Sequence, residues 1–143
     1  MNRNKKKTTV LSIFTPLIFI LIEVIRTFIR PVYGKSEYGT ISTILGWLPN
    51  FLAAFGIISL GILILMVLMY AEDTNKKHFS KKQQLIVLII TSAIALIGLL
   101  AHEVTQKGTG LYYDTNDVYA TIAGCLAGFI FYYYTIIKSK DNS

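Results

Sequence analysis

The sequence predicts an all-α fold: a transmembrane bundle of four helices with the N- and C-termini on the cytoplasmic side. Three observations carry this. Of 143 residues, 53% are hydrophobic and only 15% are charged, and the mean hydropathy of +0.53 suits a chain whose main solvent is lipid rather than water. Four apolar stretches approach or reach the roughly 20 helical residues needed to cross a hydrocarbon core about 30 Å thick. The 14 Lys and Arg, set against 8 Asp and Glu, gather beside particular ends of those stretches. The single Cys125 excludes an intrachain disulfide and a multi-thiolate metal site.

The first stretch, residues 8–22, follows Arg3 and Lys5 to Lys7, a pattern shared with secretory signal peptides. No small-residue cleavage site follows it. Helical spacing instead continues through Glu23, Arg26 and Arg30 to Pro31, so an uncleaved helix is expected over about 8–29, bent at Pro16, where one backbone N–H is missing. Residues 31–48, with Gly34, Gly39 and several Ser and Thr, form a long connection able to cover the outer mouth of the bundle. The second helix is expected over 50–71, opening at Asn50 after Pro49. The third is placed at 83–103 and the fourth at 116–138, the last entered through a cap-like Asp114-Thr-Asn-Asp117. No repeat divides the chain, so 1–143 is one domain.

Orientation follows from the basic residues, because cytoplasmic segments carry the excess. Arg3, Lys5, Lys6 and Lys7, then Lys76, Lys77, Lys81 and Lys82, then Lys138 and Lys140 all fall on one side, leaving Arg26, Arg30, Lys35 and Lys107 for the other. This use of the positive charge makes nucleic acid an unneeded partner; the lipid bilayer is the expected one.

Small residues mark helix contacts in lipid, where little hydrophobic force acts between helices. Ala120, Gly124 and Gly128 form such a stripe on the fourth helix, suited to packing inside one bundle or to a homo-oligomer face. Tyr132, Tyr133 and Tyr134 at one end, with Trp47, Tyr112 and Tyr113 at the other, suit interfacial aromatic belts.

Ionisable groups at membrane depth are costly, about 2.5 to 3.5 kcal/mol for a charge at a helix centre, and their placement is therefore informative. Glu23, Arg26 and Arg30 share a face by spacing; Asn50 opens the second helix; His102, Glu103 and Gln106 close the third; Asp114 and Asp117 open the fourth. All fall at the outer end, which suggests a ligand-binding polar cluster. Its arginines suit phosphate or carboxylate, and Glu103 could act as an acid or base. Each residue also has a plainer role: an intrahelical Glu23–Arg26 pair, a cap at Asp114, an interfacial His102. No metal is expected without a paired-histidine motif. Nor is a cofactor, with no phosphate-binding glycine loop and no recognisable nucleophile motif at Cys125 or the Ser and Thr residues.

Glu103-Val-Thr-Gln106, followed by Asp114-Thr-Asn-Asp117-Val-Tyr-Ala-Thr121-Ile-Ala-Gly124-Cys-Leu-Ala-Gly128, resembles the VanZ-like family of small bacterial membrane proteins. Leu48-Pro49-Asn50-Phe51 through Gly56 is similar to the segment before that family's second helix. The resemblance covers about residues 44–134. It departs in lacking the arginine often found between the Gln and the Asp, where Lys107 and Thr109 stand, and in having Thr121 where many members have Asn. It implies a multi-pass protein of the bacterial plasma membrane, with a link to low-level resistance to teicoplanin-type glycopeptides. The expected function is therefore binding or shielding of a lipid-linked, cell-wall-related or glycopeptide ligand at the outer leaflet. A small enzyme acting on lipid headgroups and a packing subunit of a larger complex are the alternatives.

Overall fold

The computed structural model describes the backbone of residues 3–73, 80–106 and 114–138, and side chains at 7–69, 80–105 and 114–138. Among these residues the fold is helical without a strand. Helix α1 (Arg3–Val24) runs into a π turn (Ile25–Ile29) and a short α2 (Arg30–Tyr33). A 3-10 turn (Ser36–Tyr38) leads to α3 (Thr40–Asp73), followed by α4 (Lys81–Gln106), α5 (Thr115–Tyr132) and a closing π turn (Tyr133–Ile137). Four of the resulting helical segments are long and apolar enough to cross a membrane.

Several expected boundaries move. The first helix passes through Pro16 as regular α-helix, and the backbone irregularity lies instead at Ile25–Ile29. The supposed connection over 31–48 is largely helix, because α3 begins at Thr40 and continues through Pro49. Ile41, Ile44, Leu45 and Leu48 extend the apolar helical period, and the fully buried Pro49 lacks only one N–H, a tolerable loss where neighbouring helices hold the segment. What remains of the connection is tight. Ser42 Oγ donates to the Gly34 carbonyl at 2.8 Å, and Gly39 takes a φ of 50°, a left-handed conformation that a side chain would strain. At the start of α4, Ser80 Oγ accepts from Gln83 N–H at 3.3 Å while Gln83 Oε1 accepts from Ser80 N–H at 2.7 Å. That reciprocal cap starts the helix at Lys81, two residues earlier than 83.

Helix α3 is the hub, with α1, α4 and α5 packed on it and α4 also against α5. The buried residues Leu11, Thr15, Ile18 and Ile22 of α1, with Ile25 opening the π turn, repeat at alternating steps of four and three, the seam expected of helices crossing at small angles. Ala54, Ile58, Ile62, Leu65 and Met66 of α3 form the centre of the core with Leu88 and Ala95 of α4. The small residues of α5 are taken up within the chain. A Cβ at Gly124 would collide with the Phe51 carbonyl oxygen and stand 3.0 Å from Ala54 Cβ, and one at Gly128 would stand 3.1 Å from Ile58 Cδ1. The Ala120, Gly124, Gly128 stripe is thus the α3 contact.

Tyr132 departs from the expected aromatic belt. It is 0% exposed, edge-on to Phe131, and its hydroxyl is hydrogen-bonded to Ser59 of α3. A buried phenol needs such a partner in an apolar bundle. Tyr134 keeps the expected exposed position, with Lys138 Nζ 4.9 Å from its ring centre. On the outside, Ile13, Phe28, Ile94 and Ile97 are each more than half exposed, a surface suited to hydrocarbon rather than water.

Candidate functional site

At α3's 34 residues, a rise of 1.5 Å per residue makes the helix about 50 Å long, well beyond the hydrocarbon core. Asn50 lies nearly three turns from its start, where the beginning of α5 and the end of α4 come alongside. Gly124 seats α5 on Phe51. Asp117 and Thr121, seven and three residues earlier, share that helix face and so turn toward the neighbourhood of Asn50. Glu103, less than one turn from the end of α4, meets the same place from the other side.

The contact that joins the helices is a hydrogen bond from Asn50 Nδ2 to Glu103 Oε1, 3.2 Å long. Both residues are buried, Asn50 at 8% and Glu103 at 3% exposure. Asp117 is half-buried, within electrostatic range of Glu103, Asp114 and Arg30, and Asn50 is also its hydrogen-bond neighbour. One amide therefore stands between two carboxylates that repel each other. Glu103 Oε2, Asp117 Oδ1 and the Thr121 hydroxyl, all buried, have no hydrogen-bond partner.

Other residues of the expected cluster stand apart. Asp114 is the exposed N-cap of α5, accepting from Asn116 N–H at 2.9 Å, and it reaches the site only through its charge. Arg30, also exposed, contributes in the same way. A π turn over Ile25–Ile29 lies between Glu23 and Arg30, so regular α-helical spacing does not run unbroken through the three residues. Glu23 and Arg26 are exposed, and Glu23 accepts from Thr27 Oγ1 at 3.0 Å rather than pairing with Arg26. His102 is exposed, turned about 100° from Glu103 by the helical step. Gln106 ends α4, and its side chain lies outside the described residues, as do Lys107, Tyr112 and Tyr113.

Thr121 is the member that sequence reasoning passed over. Its position one turn after Asp117 was the available signal. The Ser59–Tyr132 bond and the buried, unpartnered Thr15 hydroxyl had none, since each depends on how separate helices meet.

Beside the cluster, Trp47, Asn116, Tyr119, Ala120 and Ala123 line a shallow cleft of about 230 Å³ along the α3/α5 seam. Trp47 is packed edge-on to Phe51, ring centres 6.5 Å apart. The arrangement offers hydrogen-bond acceptors held against a low-dielectric wall, with an aromatic surface adjoining. Among the described residues no three His, Cys, Asp or Glu side chains are grouped as metal ligands. No protein-family model, curated protein or solved structure matches the chain.

Proposed function

We propose that this chain is a VanZ-like integral membrane protein of the bacterial plasma membrane. In this reading the Glu103 cluster faces the outer leaflet, where it binds or shields a lipid-linked or cell-wall-related molecule and contributes to resistance to teicoplanin-type glycopeptides. The observation that carries the proposal is the buried Asn50–Glu103 hydrogen bond with Asp117 beside it, contributed by three helices at one end of the bundle. Charged side chains at such depth are costly to keep, and in membrane proteins they mark ligand and ion sites. The quoted motif residues support the family reading: Glu103 and Asp117, two of its acidic positions, come together here. The cleft with Trp47 and Tyr119 adds the kind of surface on which a sugar ring or headgroup can rest.

The test is to purify the wild type and the Glu103→Gln and Asp117→Asn variants from bacterial membranes, identify copurifying lipids by mass spectrometry, and measure teicoplanin susceptibility of the same cells. Glu103→Gln nearly preserves shape while removing the charge. Binding predicts a lipid-linked species on the wild type that is depleted from both variants, with susceptibility rising in parallel. A catalytic site would instead retain the species on Glu103→Gln while product formation stops. Wild-type and variant proteins alike in lipid content and susceptibility would defeat the proposal.

A further inference from the structure

We propose that the cluster contains a binding site for a small alkali cation of the sodium class, held by Glu103 Oε2, Asp117 Oδ1 and the Thr121 hydroxyl oxygen. These three buried oxygens have no hydrogen-bond partner. Two of their residues are almost fully enclosed, Glu103 at 3% and Thr121 at 0% exposure. Buried polar atoms are nearly always satisfied, and one left unpaired costs about 1–3 kcal/mol, so the carboxylates that flank Asn50, with Thr121 one helical turn beyond Asp117 on α5, point to something that satisfies them together. That something carries positive charge. Asp117 lies within range of Glu103, Asp114 and one arginine, Arg30, which leaves the neighbourhood with an excess of negative charge in a low-dielectric setting.

The donor set selects the class of ion. Only oxygen is offered, the preference of hard cations, and the thiolates and imidazoles that attract zinc or copper are missing, with His102 turned outward. Two carboxylates and a hydroxyl fall well short of the roughly six to eight oxygen ligands that calcium gathers, which favours a monovalent ion. Asn50 acts as the positioning residue: by donating to Glu103 Oε1 it leaves Oε2 as the free lone-pair donor. The inference stands on these oxygens and does not require the lipid-linked ligand proposed above.

The experiment measures radiolabelled sodium binding to the full-length protein in detergent, together with its melting temperature in sodium chloride and in choline chloride at equal ionic strength. The wild type is expected to bind one ion per chain and to melt higher in sodium. Thr121→Val should weaken binding by at least the roughly tenfold that loss of an outer-shell partner costs at metal sites, and Glu103→Gln should abolish it. Gly98→Ala, on an open face of α4, should bind as the wild type does. A wild type with no saturable sodium binding and equal melting in the two salts overturns the proposal, even if every variant misfolds. Melting that follows pH and ignores sodium also overturns it, since the carboxylates would then be sharing a proton. Copurification of a lipid has no bearing on these readouts, so this inference and the proposed function can fail separately.

Discussion

The Asn50–Glu103 hydrogen bond is open to a double-mutant cycle. Glu103 Oε2 has no partner already, so Asn50→Leu removes the one donor that the buried carboxylate has on α3. A buried polar group deprived of its partner costs about 1–3 kcal/mol, whereas replacing both partners by apolar groups of similar shape is close to neutral. Asn50→Leu and Glu103→Leu alone should therefore each lower stability, and the double variant should recover part of the loss. Hydrogen bonds between membrane helices couple by about 0.6 kcal/mol on average and about 1.7 at most. A charged acceptor places this one toward the top of that range, so a coupling of about 1–1.7 kcal/mol is expected. Unfolding in mixed micelles of a denaturing detergent, followed by circular dichroism, provides the four free energies. Additivity within about 0.5 kcal/mol, as found for independent sites, would show that α3 and α4 do not meet at these residues.

Three further outcomes follow, two from the packing and one from the distribution of basic residues. Gly124→Ala should destabilise by about 1–3 kcal/mol, the usual cost of overpacking, because its methyl meets the Phe51 backbone; Gly98→Ala, with open space around it, should be neutral or stabilising in the same assay. Tyr132→Phe strips Ser59 of its partner and should cost about 1 kcal/mol by detergent unfolding, against no change at the exposed Tyr134. A C-terminal fusion to an enzyme active only outside the cytoplasm should stay silent, and strong activity would invert the orientation read from the basic residues.

Where an element depends on local pattern, the sequence was sufficient. Apolar runs bounded by charge located four helices, and the Asp114 cap was visible as a short polar segment leading into an apolar run. Boundaries failed where one residue was given too much weight. Pro49 looks like a helix start, yet the apolar helical period of Ile44 to Leu48 continues α3 through it. The Ser80–Gln83 cap follows from a three-residue spacing that lies in the sequence itself.

The candidate site divides along the same line. Sequence by itself determined that the polar residues collect near particular helix ends, because a hydrocarbon solvent excludes them from almost everywhere else. It also marked the smooth stripe on α5, though not the helix that would fill it. Only the tertiary structure decided which polar residues meet. Glu103 and Asp117 come together at Asn50, with Thr121 one turn further along α5, because Gly124 lets α5 settle onto Phe51, whereas Arg26, Glu23 and His102 remain exposed on their own helices. The physical reason is that helical periodicity constrains a side chain only relative to its own axis. The rotation of each helix is set by close packing with its neighbours, and a π turn such as Ile25–Ile29 interrupts the regular period even along one helix.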